Sequence, residues 1–286
     1  MKEKIIEAVK NGLLNYLGLV NITLVGSHAD SKKELEKTND FDFIFIFEKL
    51  RPNNFKDFQN RLTHIAASLD QPSHVVWAEF RVGPIKPACP RPADFCSMIH
   101  ALVFSRQIFQ EYIVMAPFIT LDWSQFPPLI GKSLREIFDF PWPTVENLIA
   151  APRHSINFYR QSLKDKVSIA VKLVEHDGQL VTVVDKVPMN EQQILESCSN
   201  ILNKVMLNTI IVYEKITKQW DKDQLLAEFL KLFPEFKNQK AELVMINDLK
   251  KKLRKGEPSL YSLAELEEKL EAFLVKLTEL ARNKAA

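Results

Sequence analysis

The stretch LVGSHADSKKELEKTNDFDFIFIF (residues 24–47) ends in DFDFIFIF, apolar enough for a buried strand yet carrying aspartates at 40 and 42. Successive strand side chains alternate faces, so residues two apart share a side, roughly 6.6 Å apart along the chain. Like charges placed that way repel. Two carboxylates on one face of such a strand call for a compensating cation, either Lys or Arg side chains or a divalent metal. Hard oxygen ligands favour magnesium or manganese. Upstream, the β-rich run NITLV (21–25) stops at Gly26 and Ser27. Glycine lets the backbone turn tightly and approach a ligand, and Ser27 followed by Asp30 reads as the start of a short helix whose amides could hold an anion. Phosphate recognition and metal binding a dozen residues apart describe a site for a nucleoside triphosphate with bound magnesium.

Outward from this stretch, Ile5, Ile6, Val9, Leu13 and Leu17 give a helical stripe that predicts a first helix over 5–17, ending near Gly18. A strand is expected over 41–47, and Phe55, Phe58, Leu62, Ile65, Ala66 and Leu69 predict a following helix. HVVWAEFRV (74–82) reads as a third strand closed by Gly83 and Pro84. Between Pro84 and Pro143 prolines are dense, which predicts loops around IHALVFSRQIF, a run ambiguous between strand and helix. Beyond Thr144 helical periodicity dominates. A long helix is expected over 190–218, and Ser262 with Glu265 forms a capping box ahead of Leu266, Leu270, Phe273, Leu277 and Leu280. VSIAVKLVEHDGQLVTVVDKV (167–187) interrupts it with a DG hairpin signal, although its first arm could also finish a helix. The expected fold is α+β: alternating strands and helices over 1–140, then a mostly α-helical domain over 141–286.

Composition narrows the function classes. With 286 residues, 46% hydrophobic and 26% charged, the chain is long enough for two modest domains. A net charge of +2 and a pI near 8.3 are too mild for a dedicated nucleic-acid binder. The basic run KKKLRK (250–255) reads as a solvated helix end. No run approaches the roughly 18 apolar residues of a membrane span, and the N-terminus lacks a signal peptide's apolar core. Three cysteines, Cys89, Cys96 and Cys198, make no disulfide framework, so a cytoplasmic location is expected.

Gly26-Ser27, twelve residues, then Asp40-Phe41-Asp42-Phe43 resembles the signature of the polymerase-β-type nucleotidyltransferase superfamily. The resemblance covers roughly the first 110 residues, and the helical tail is similar in architecture to that of antibiotic nucleotidyltransferases. It implies a mixed sheet flanked by helices over 1–140, a helical domain over 141–286 that binds substrate or a partner, two divalent ions, Mg2+ or Mn2+, and transfer of a nucleoside monophosphate with release of pyrophosphate. Carried onto this chain, it puts Gly26 and Ser27 on triphosphate oxygens and Asp40 and Asp42 on the metals. Two such metals about 3.5 to 4 Å apart can stabilise both the attacking and leaving oxygens. The family expects a third carboxylate on a neighbouring strand, for which Glu79 is the first candidate and Asp94 the second; Glu79 could instead pair with Arg81. HADSKKELEK departs from common members between the two motifs, leaving His28, Lys32 and Lys33 as either triphosphate contacts or solvated helix residues. The implied reaction is transfer of AMP from ATP to a hydroxyl of a small-molecule acceptor. Synthesis of a nucleotide messenger, modification of a protein or tRNA, and a catalytically degenerate nucleotide-binding module are the alternatives. The long helix over 190–218 is compatible with a monomer core or a homodimer interface.

Two other constellations stand out. Cys89, Cys96 and His100 have the spacing C-x6-C-x3-H, too loose for a zinc knuckle and short of a fourth ligand. PRHSINFYRQSLK (152–164) gathers Arg153, His154, Tyr159 and Arg160 on an expected helix. Tyr159 and Arg160 could line an acceptor or nucleotide cleft there, or the helix could be an ordinary amphipathic one with a capped start.

Overall fold

Phe41, Phe43, Phe45 and Phe47 alternate with Ile44 and Ile46, and both sets are fully buried, so the strand they form is covered on both faces. A computed structural model describes residues 2–29, 40–69, 73–77, 97–218, 220–254, 256–257 and 259–285. In chain order the first half has α1 (Lys2–Leu13), β1 (Leu19–Val25), a 3-10 turn (Gly26–Ala29), β2 (Asp40–Phe47), α2 (Pro52–Ala67), β3 (Ser73–Trp77) and β4 (Ser97–Ser105). It continues with α3 (Arg106–Met115), α4 (Pro117–Trp123), β5 (Pro128–Gly131) and α5 (Leu134–Ile137). The five strands make one mixed sheet in the order β3-β4-β2-β1-β5, with β2 and β3 parallel to β4, and β1 antiparallel to β2 and β5.

The phenylalanine face of β2 packs on Ile5, Val9 and Leu13 of α1 and on Phe58, Leu62 and Ile65 of α2. The isoleucine face packs on Phe109, Tyr112 and Ile113 of α3, with Trp123, Leu134 and Phe138. α1 is shorter than the stripe through Leu17 suggests: it ends at Leu13, Asn15 turns left-handed at φ 62°, and Leu17 is largely exposed.

IHALVFSRQIF resolves its ambiguity by being both elements, because Ser105 closes β4 and caps α3, its hydroxyl accepting from the Ile108 amide at 3.2 Å. The described part of the proline-dense region, residues 97–143, holds more regular structure than the loops expected of it. Pro117 sits in the first turn of α4, where a missing N–H costs nothing, and Pro128 opens the edge strand β5.

The second half adds α6 (Val145–Ala150), α7 (Ile156–Asp165), the hairpin β6 (Val167–His176) and β7 (Gln179–Pro188), α8 (Glu191–Glu214), α9 (Lys222–Leu232), α10 (Lys240–Arg254) and α11 (Leu263–Ala285). The DG signal forms a hairpin whose first arm is a strand throughout, paired from Val167↔Pro188 to His176↔Gln179. The capping box of α11 is made: Glu265 Oε2 accepts from the Ser262 amide at 2.8 Å, and Ser262 Oγ from the Glu265 amide at 3.3 Å. Residues 250–254 of KKKLRK fall at the end of α10, and Lys255 lies outside the described residues. Residues of α6, α7, α8, α9, α10 and α11 share a third core, joined by Phe118 and Leu121 of α4. Among the described residues no helix is long and apolar enough to cross a membrane.

Candidate functional site

β1 and β2 run antiparallel, so the end of one lies beside the start of the other, and Val25 pairs with Asp42. Gly26 follows with φ 75°, a left-handed conformation that glycine adopts freely. A Cβ built there would stand 2.8 Å from Asp42 Oδ2, so the turn closes on the carboxylate where glycine leaves room for it. The sequence motif separated by twelve residues thus becomes one contact. Ser27 lies in the 3-10 turn, the rest of the expected short helix falling outside the described residues, and Asp40 begins β2 two positions before Asp42, beside Met98.

On the other side of Asp42 stands β4, its parallel neighbour, where His100 occupies the paired position. His100 Nδ1 lies 2.7 Å from Asp42 Oδ1, and the two side chains are 12% and 23% exposed. Ile44 and Ile46 continue the same face of β2 into the core under α3, so Asp42 is the polar end of an otherwise apolar surface. Sequence reasoning met His100 only within the zinc spacing. What aims it at Asp42 is strand register, which two segments 58 residues apart do not announce.

Glu79 and Asp94, the candidates for a third carboxylate, lie outside the described residues, as do Lys32, Lys33, Cys89 and Cys96. Among the described residues no further His, Cys, Asp or Glu joins Asp42 and His100 to make a metal-holding group of three. The residues present nonetheless suit a hard divalent cation: a carboxylate with one oxygen on an imidazole and the other against a glycine cradle that a Cβ would fill. His28 does not belong to this site, because its ring stacks on Phe41 at 4.4 Å, is 1% exposed, and so lies on the opposite face of β2.

The second constellation divides: Arg153 and Tyr159 are packed inside, whereas Arg160 lines an open pocket between α7 and α11 with Lys164, Lys166 and Glu267. Ser155 caps α7, and Tyr159 and Arg153 are buried. His154 Nδ1 and the Tyr159 hydroxyl share a hydrogen bond of 3.0 Å, Asn208 Nδ2 donates to the His154 carbonyl at 2.8 Å, and the Arg153 guanidinium lies 5.4 Å above the Tyr112 ring. Burial, with the nearby Lys204 and Arg153 cations, pushes His154 down to about 3. Burial also raises the Tyr159 phenol. Arg160 is gripped by Glu271, its Nε donating to both carboxylate oxygens at 2.8 and 3.0 Å, which ties α7 to α11. Cys198 is buried in the helical core, where desolvation pushes its thiol up to about 12, leaving it inert as a nucleophile.

No family model matches the chain, and no curated protein matches it.

Proposed function

We propose that the chain is a metal-dependent nucleotidyltransferase that moves AMP from ATP to a hydroxyl of a small-molecule acceptor. The observation that carries this reading is the closure of the Gly26 turn on the Asp42 carboxylate at adjoining ends of β1 and β2. That arrangement offers a tight backbone turn for phosphate oxygens beside an oxygen ligand for a cation. In this reading Asp40 and Asp42 hold two divalent ions, Mg2+ or Mn2+, and Gly26 and Ser27 orient the triphosphate. The ions supply charge neutralisation at the transferring phosphoryl group. The acceptor oxygen bonds to the α-phosphorus, the bond to the β-phosphate oxygen breaks, and pyrophosphate leaves. Glu79 is proposed as the third carboxylate, either a further ligand or the group that takes the acceptor's proton. The helical half carries the acceptor site, and the sparse cysteines suit a cytoplasmic location.

Thermal unfolding with ATP, GTP, CTP or UTP, with and without Mg2+, tests the reading. A triphosphate at a hundred times its Kd adds about 2.7 kcal/mol of stability. ATP is expected to raise the melting midpoint only with Mg2+, and Asp42→Asn to abolish the response. A wild type that no triphosphate stabilises overturns the reading. A Mg2+-dependent ATP response without release of pyrophosphate, in the presence or absence of hydroxyl acceptors, points instead to a nucleotide-binding module.

A further inference from the structure

We infer that His100 is a positioning residue for Asp42: its Nδ1–H holds one carboxylate oxygen and so sets how the carboxylate meets a divalent cation. The inference rests on the reading above that Asp42 binds such an ion.

A terminal carboxyl torsion is broad and nearly two-fold, so an aspartate fixed only at its Cβ sweeps a wide arc. In this fold one oxygen is held and the other is given room. Oδ2 stands 2.8 Å from where a Cβ on residue 26 would lie, so the glycine leaves space beside it. Oδ1 lies 2.7 Å from His100 Nδ1. An ionised carboxylate only accepts hydrogen bonds, so the proton of this contact sits on Nδ1. The partner is delivered by the most rigid means available, since Asp42 and His100 face each other across paired central strands, and the pairing continues without interruption from Asp40↔Met98 to Phe47↔Ser105. Both side chains are mostly shielded from water, which strengthens the bond relative to an exposed pair. An imidazole can donate in this way without the permanent positive charge that an arginine would bring to the cation's ligand. Hydrogen bonds to a ligating group generally account for about 10- to 100-fold in metal affinity.

The test is Mn2+ binding to the full chain, read from the electron paramagnetic resonance signal of free Mn2+, for wild type and four variants. Asp42→Asn removes the ligand. His100→Ala removes the donor. His100→Asn places an amide N–H near the Nδ1 position, whereas His100→Gln carries its amide past it. Positioning predicts a fall in affinity of about 10- to 100-fold for Ala and for Gln, with Asn close to wild type. Melting midpoints without metal are expected to differ little among the three His100 variants, and if Ala does not fold, the contrast between Asn and Gln still decides. Equal affinity in wild type and Ala, or Asn as weak as Gln, overturns the positioning role while leaving Asp42 as a ligand. A wild type that holds no Mn2+, or an Asp42→Asn that holds it as well as wild type, overturns the metal-site reading and this inference together.

Discussion

His154 precedes α7 at φ 61°, a left-handed conformation unfavourable for most side chains, with its ring beside those of Phe158 and Tyr159. Its pKa is held near 3 against an ordinary value of 6.5, by burial first and then by Lys204 and Arg153. The unfolded chain therefore takes up a proton before the folded one does. The stability linked to this group is fully present above pH 6.5 and drains as pH falls toward 3. The loss is at most about 1.4 kcal/mol per pH unit. His154→Asn keeps a residue tolerant of positive φ and deletes the titration, so its melting midpoint should fall less steeply than that of wild type between pH 6.5 and 4. Parallel curves would show that the ring is not desolvated. The same scale shows what a one-dimensional reading reaches. The contact between Gly26 and Asp42 was legible because both belong to one local motif on flanking strands. His100 was not, because its role depends on which residue of β4 register sets beside Asp42. Tyr159 and Arg160 carry residue types suited to a cleft; Tyr159 is sealed in the core, whereas Arg160, paired with Glu271, lines an open pocket with Lys164, Lys166 and Glu267.

The β6–β7 hairpin turns through Asp177 and Gly178 at φ 50° and 73°, the two positive values that a two-residue primed turn needs. Nothing lies within 4 Å of a Cβ built on Gly178, so Gly178→Ala meets no clash and costs only backbone energy, about 1 kcal/mol. Amide hydrogen exchange should quicken across β6 and β7 while β1, β2 and β4 keep their protection. Unchanged exchange in the hairpin would mean that its strands are held by something other than their turn. Elements were most legible where periodicity and punctuation agreed, as in the alternating β2 and the capped α11. They were least legible where one residue serves two elements or where proline begins one. Ser105 ends a strand and caps a helix at once, so a continuous apolar run spans both. Pro52 and Pro117 sit in first helical turns, the position at which proline's missing donor is harmless, and the density of prolines around 117 masked α4 as loop.

At the scale of the molecule, Phe140 and Phe158 touch two cores at once, the one beneath the isoleucine face of the sheet and the one shared by the helices of the second half. Truncating either removes apolar contact from both. Phe158→Ala is expected to cost about 2 kcal/mol, less than a fully buried phenylalanine because the ring is only partly buried. The effect should appear equally in far-ultraviolet circular dichroism and tryptophan fluorescence during urea unfolding. If the two probes separate in wild type already, the halves are not coupled through these rings. The change of character beyond Thr144 was legible as a proline-dense stretch giving way to helical periodicity. The membership of Phe118 and Leu121 in the helical core was not, since α4 is shared, with Trp123 packed under the isoleucine face of the sheet and Phe118 and Leu121 among the helices of the second half.

The two-sided burial of β2 has a consequence for heredity and for engineering alike. Removing one residue between Asp42 and Phe47 would exchange the faces of everything on one side of the cut, sending phenylalanines under α3 or the carboxylate under α1 and α2. Only changes in whole two-residue steps leave the faces in phase, and even these slide Asp42 away from both Gly26 and His100. The strand can therefore drift by substitution but not by length, and a transplant of this motif to another sheet must carry β1, β2 and β4 as a single block.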